Sequence, residues 1–246
     1  MDKNRNKFYV QKCRSKQTKQ QRTEQYRRTA FGSMFSFIGV KTSSAIAEDK
    51  LKNRQSNIDR NYVRNLYALN NKCAISNIDL TFCRALTDLS IDRIDNSIGH
   101  TINNIQLICK GLNLLKNNGN NEDVLFFIDC LKNIKEFVPG IKSRDYVSLC
   151  VRNAIKTDLK NNLLSDINTD FIYDLANRQN WRCYFTGLKF AVYKHPIFSL
   201  SIDRIDNSIG HIKDNIRLVL KGINRARGNY SDNLMFEFLN DIKQNK

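Results

Sequence analysis

The twelve residues Leu89–His100, LSIDRIDNSIGH, recur without a single change as Leu200–His211. Whatever local structure one copy adopts, the chain must be able to build a second time. The flanks have drifted. At the same offset the twelve preceding residues share nothing, and the twelve that follow keep only Asn104/Asn215, Ile105/Ile216, Leu107/Leu218, Lys110/Lys221 and Gly111/Gly222. A polar, turn-like stretch held fixed between drifting flanks points to a site, because loops carry function where cores carry packing. The competing structural reading makes Asp92, Arg93 and Asp95 an ion-paired hairpin around an Asn-Ser turn, and such surface pairs are common and weak.

Residue periodicity places the motif. Leu-Ser-Ile-Asp alternates apolar and polar, as a half-buried strand does. Asp-Asn-Ser-Ile-Gly supplies turn residues. Ile105–Ile108 and Ile216–Val219 read as a second short strand, followed by helices through Asn113–Lys116 and Asn224–Arg227. Each copy then closes with an amphipathic helix, Val124, Phe127, Ile128, Leu131 and Ile134 in one and Met235, Phe238, Leu239 and Ile242 in the other, with Asn120 and Ser231 as N-caps. Upstream, Ile58, Tyr62, Val63, Leu66 and Leu69 have helical spacing and lead into a turn bearing Cys73. Phe171, Ile172, Leu175 and Ala176 lead likewise into a turn bearing Cys183. Val147, Cys150, Val151, Ala154, Ile155 and Leu159 form a further helix, whereas Phe31–Val40, small and apolar with two glycines, shows no clear pattern. With Pro139-Gly140 as a natural boundary, the expectation is an α+β chain: a basic arm over 1–30, a helix-rich unit over 31–138 and a second over 139–246.

The formal net charge is +16, and the first 28 residues hold ten Lys/Arg against Asp2 and Glu24. That segment has too few apolar residues for a core and reads as a disordered basic arm. Such arms bind phosphate backbones by counterion release or serve as nuclear addresses. Since the rest of the chain is also basic, nucleic acid is the expected partner. No apolar run approaches the roughly 18 residues of a membrane span, and MDKNRNKF lacks a signal-peptide core, so an intracellular protein is expected, nuclear if the cell has a nucleus. Seven cysteines at irregular spacing do not form a disulfide framework.

The wording of the repeat is more specific than its pattern. A Cys-x-x-Thr-Gly turn at Cys183–Gly187, then Ser-Ile-Asp-Arg-Ile-Asp-Asn-Ser-x-Gly, then Asn, then Lys-Gly-x-Asn-x-x-Lys/Arg, resembles the HNH-type endonucleases. The nearest pattern is their Asp-Arg-Ile-Asp subgroup found in phages and large DNA viruses. The resemblance covers Cys73–Lys116 and Cys183–Arg227. It implies two tandem ββα-metal fingers and metal-assisted hydrolysis of phosphodiester bonds, with double-stranded DNA the foremost substrate. One divalent ion would stabilise charge on the phosphate while a histidine activates water. Carried over residue by residue, Asp92 and Asp203 are metal ligands. Asn113 and Asn224 complete or support the metal site, and Asn104 and Asn215 brace the loop and orient the base. Oxygen ligands of this kind suit Mg²⁺ or Mn²⁺.

Two departures stand out. Where the family carries its general-base histidine this chain has Arg93 and Arg204, which cannot accept a proton at pH 7 but can clamp a phosphate. The available imidazoles are His100 and His211, which close the repeat; the remaining histidine, His195, reads as a surface-loop residue. The family's paired zinc knuckles are also incomplete: copy one keeps Cys73 and Cys109 with Ser76 and Leu112 at the partner positions, and copy two keeps Cys183 alone. Structural zinc is not expected. An EF-hand calcium loop fails on register. The alternative function is a catalytically inactive finger protein that binds or packages nucleic acid.

Overall fold

A computed structural model describes residues 33–82 and 86–245. The basic arm expected over 1–30 lies outside the described residues. The fold is mixed α+β, mostly helical, with two separate two-stranded sheets.

In chain order, helix α1 spans Met34–Leu51 and α2 Arg60–Leu69. Strand β1 (Leu89–Arg93) pairs antiparallel with β2 (Ile105–Cys109), and α3 (Lys110–Lys116) and α4 (Asn121–Leu131) follow. The second half repeats the order with α5 (Arg144–Lys160), α6 (Thr169–Arg178), β3 (Leu200–Arg204), β4 (Ile216–Leu220), α7 (Lys221–Arg227) and α8 (Asp232–Gln244). The registers match residue for residue: Asp92 lies opposite Gln106 and Asp203 opposite Arg217.

Local chemistry accounts for these boundaries. All six longer helices start on a side chain that accepts a backbone N–H from the first turn; the caps include Asp59 to Tyr62 at 2.7 Å, Asn120 to Asp123 at 2.8 Å and Asn168 to Phe171 at 2.8 Å. Asn120 and Ser231 cap α4 and α8 as their positions in the sequence suggest. The described part of the unpatterned stretch Phe31–Val40 belongs to α1 from Met34 onward, and the small residues of that helix, Ser36, Gly39, Thr42, Ser43 and Ser44, leave no apolar stripe to betray it. α1 packs on α2 and β1, as α5 packs on α6 and β3.

The apolar core runs across the midpoint of the chain. Helices α3 and α7 lie against each other. Arg225 of α7 donates to the carbonyls of Leu115 at 2.6 Å and Pro196 at 2.7 Å, and Lys110 reaches the Tyr230 hydroxyl at 2.6 Å. Phe137 stacks on Phe198 with centroids 4.2 Å apart and rings nearly parallel, and Phe127 tilts against the same ring at 6.1 Å. Conversely Phe238 of α8 covers Gly111, where a Cβ would fall 2.5 Å from its ring. Among the described residues no helix is long and apolar enough to cross a membrane.

Candidate active site

Every polar residue of the repeat has a place in one local design. In the loop after β1, the Asp95 carboxylate accepts the N–H and hydroxyl of Ser97 at 2.8 and 2.7 Å, and this bonding holds its pKa below the ordinary carboxylate value. Asn104 braces the loop. Its Oδ1 accepts the Asp95 N–H at 2.8 Å, and its Nδ2 donates to the carbonyls of Asp95 and Gly99 at 2.9 and 3.0 Å. Asn215 does the same for Asp206 and Gly210. These two asparagines therefore fix the backbone beside His100 and His211.

Gly99 must be glycine for a steric reason. A Cβ there would sit 1.9 Å from the carbonyl oxygen of Gln55, and at Gly210 it would sit 1.9 Å from that of Leu164. The loop thus presses directly onto the α1–α2 connection, or in the second half the α5–α6 connection. That contact brings in a residue the motif does not contain. The carboxylate of Asp49, fully buried at the end of α1, accepts the backbone N–H of His100 at 2.6 Å, and the same oxygen lies 2.8 Å from His100 Nδ1. Asp158 of α5 divides the two contacts to His211 between its oxygens, Oδ2 accepting the backbone N–H at 2.6 Å and Oδ1 lying 2.9 Å from Nδ1. The histidine carbonyls are held too, by the hydroxyls of Ser56 and Ser165 at 3.0 and 3.1 Å.

A carboxylate next to Nδ1 selects the tautomer with the proton on that nitrogen, so neutral His100 carries its lone pair on Nε2. Among the described residues no hydrogen bond reaches Nε2, and His100 lines a cleft with Asp92, Arg93, Asn113 and Ser90. His211 lines the corresponding cleft with Asp203, Arg204, Asn224 and Ser201. Within them Asn113 and Asn224 donate through Nδ2 to Ser90 and Ser201 at 2.8 and 2.9 Å, and no side chain among the described residues bonds to their amide oxygens. Of the residues singled out in the sequence, the clefts gather His, Asp, Arg and the helical Asn. The middle Asn lies behind the loop, and His195 lies elsewhere, its Nδ1 accepting the N–H groups of Ile197 and Phe198 at 3.1 Å each.

The buried aspartates are already engaged by cations. Asp92 Oδ2 accepts from Lys116 Nζ at 2.7 Å and Gln106 Nε2 at 2.8 Å, and Lys116, with no exposed surface, also donates to the Arg93 carbonyl at 2.7 Å. Asp203 accepts from Arg217 Nε at 2.8 Å and Arg227 Nη1 at 3.0 Å. Gln106 is hydrogen-bonded to Asn121 at 2.8 Å where Arg217 forms a two-pronged pair with Asp232, whose carboxyl pKa this guanidinium lowers. Each cluster is therefore charge-balanced, one anion against one cation in the first half and two against two in the second. Among the described residues no three His, Cys, Asp or Glu side chains are arranged to hold a metal ion.

The cysteines are occupied as backbone acceptors. Cys73 Sγ takes the N–H of Cys109, and Cys183 Sγ that of Leu220, at 3.3 Å each. Burial raises the Cys183 thiol pKa.

Asp49 and Asp158 were legible in principle. Ala45-Ile46-x-x-Asp49 recurs as Ala154-Ile155-x-x-Asp158, at a spacing of 109 residues, against 110 for Cys73/Cys183 and 111 for the twelve-residue repeat. Two insertions of one residue hide the upstream likeness from a comparison at one offset. No protein-family model, curated protein or solved structure matches the chain.

Proposed function

We propose that this chain is a metal-assisted nuclease built on two HNH-like ββα fingers, with DNA as its substrate. The observation that supports the reading best is the histidine: a buried carboxylate fixes Nδ1 and leaves Nε2 as a proton acceptor at a cleft shared with an aspartate, an asparagine and an arginine. The imidazole at the end of the repeat takes the part that Arg93 and Arg204 cannot. Nε2 removes a proton from water as the water oxygen bonds to phosphorus; the bond to the departing strand breaks, and its oxygen takes a proton from solvent. Arg93 and Arg204 grip non-bridging phosphate oxygens. Asp49 and Asp158 keep the imidazole ring aimed and stabilise the imidazolium that forms.

A divalent ion of the Mg²⁺ type would neutralise charge on the phosphate and the departing oxygen. Such an ion retains several waters and needs only one or two protein oxygens. Asp92 with Asn113 meets that requirement, since among the described residues the hydrogen bonds to Asp92 fall on Oδ2 and none on Oδ1.

The test is nicking of supercoiled plasmid with Mg²⁺, Mn²⁺ or EDTA, by wild type and by His100→Ala/His211→Ala. The expected result is metal-dependent nicking that falls by about 10²-fold or more in the double variant, with salt-sensitive DNA binding kept in a gel shift. Binding without nicking by wild type would instead support a finger protein that holds nucleic acid and does no chemistry.

A further inference from the structure

The two clefts share an identical twelve-residue repeat, yet their surroundings have diverged in one direction. In the first, both hydrogen bonds to Asp92 fall on Oδ2, and Oδ1 is left for another ligand although the residue is only 3% exposed. In the second, one guanidinium takes each oxygen of Asp203. A divalent cation at Asp203 would have to compete with two fixed positive charges for the same carboxylate.

A smaller difference lies at the arginine beside each histidine. Among the described residues, buried side-chain polar atoms without a hydrogen-bond partner occur only in the first half, and two of them, Asp49 Oδ1 and Arg93 Nη1, face each other 3.7 Å apart beside His100. They are joined as an ion pair without a hydrogen bond, and Arg93 Nη2 pairs with Glu48 at 3.7 Å as well, so this arginine is held by charge and not by directed bonds. In the second half the same ion pair is 3.5 Å long, and Arg204 Nη1 also lies 3.4 Å from the Ile209 carbonyl. The helix walls differ too. Lys41 and Glu48 of α1 and Lys52 just after it line the first cleft, whereas the equivalent positions on and just after α5 are Cys150, Thr157 and Asn161. Burial raises the Cys150 thiol pKa to about 11, so that position is neutral at physiological pH.

From this we infer that the two sites divide the work. The first takes the divalent cation through Asp92 Oδ1 and cuts; the second binds the nucleic-acid backbone through Arg204 and takes no cation. This rests on the nuclease reading above and adds to it which site is the metal site.

Mn²⁺ binding to the full chain tests the division, followed by electron paramagnetic resonance with inorganic phosphate present as the oxyanion. One Mn²⁺ per chain is expected. Gln106→Arg with Asn121→Asp, which rebuilds the closed arrangement around Asp92, should abolish it. Arg217→Gln, Asp232→Asn and Arg227→Lys together, which rebuild the open arrangement around Asp203, should raise it to two. Circular dichroism verifies that each variant is folded; should the triple variant unfold, the closing variant alone still decides. Two Mn²⁺ on the wild type, or one that survives closure of the first site, would overturn the division while leaving the nuclease reading intact. No bound Mn²⁺ on the wild type would overturn the division. Plasmid nicking in the same buffer decides separately whether the nuclease reading falls with it.

Discussion

Lys116 offers the sharpest test of how the first site is held. Its ammonium has no exposed surface and lies 2.7 Å from Asp92 Oδ2 and 2.7 Å from the Arg93 carbonyl. Lys116→Met keeps most of the side-chain volume in a flexible chain and removes only the charge and its donors. Asp92, itself 3% exposed, would then keep Gln106 as its sole donor. Breaking a buried pair by deleting one partner costs about 3–5 kcal/mol, because the surviving charge has no compensation. For a chain of this size, at roughly 2–4 °C per kcal/mol, the midpoint of thermal unfolding should fall by about 6–20 °C. Adding Asp92→Asn removes the stranded charge, so the double variant should recover most of that loss even though it carries one more substitution. Scanning calorimetry on the two single variants and the double closes the cycle. A drop below about 2 °C for Lys116→Met, or no recovery in the double variant, would refute the buried-pair account of the cluster.

Three further expectations follow from other contacts. Gly99→Ala forces a Cβ to 1.9 Å from the Gln55 carbonyl, so the loop must lift off α1; about 1–3 kcal/mol of stability should be lost, with the His100–Asp49 contact loosened, seen as a shifted imidazole resonance by NMR. An unchanged resonance would count against the loop as the element that aims the ring. Burial lowers the His195 pKa, and its Nδ1 must stay unprotonated to accept two N–H groups. Because the unfolded chain then takes up the proton first, its contribution is complete above about pH 6.5 and is lost as pH falls below that value. His195→Asn should flatten this part of a stability–pH curve, and an unaltered slope would sink the assignment. Finally, Gln106→Arg alone places an unbalanced cation beside Asn121 and should destabilise, while adding Asn121→Asp should recover stability; strict additivity in urea unfolding would show that the pair is not coupled.

How far the chain could be read in advance depended on the range of each interaction. The strands, the short helices after them and the caps at Asn120 and Ser231 follow from residues within a few positions of one another, and the structure places them there. The hydrogen bonds that join Asn104 to Asp95 and Gly99 are local too, since all three lie in the same loop. Asp49 escaped because it meets His100 across 51 residues and sits on a helix with no apolar stripe. Lys116 was visible only as the last position of a motif. Nothing local says that its ammonium folds back onto Asp92 or that the cluster balances its charge differently in the two halves.

The crossed packing of the terminal helices has a consequence for how such a chain can change over time. Phe127 of α4 rests on Phe198, and Phe238 of α8 rests on Gly111, so each half shelters the other much as the subunits of a twofold dimer that exchange an element. A gene carrying this arrangement is not free to discard a half whose chemistry has lapsed, because the survivor would expose the surface its sibling covered. Retention of both halves is enforced by what faces the seam. Redundancy in this fold is thus a one-way door: a spare site can be repurposed, but it cannot be shed.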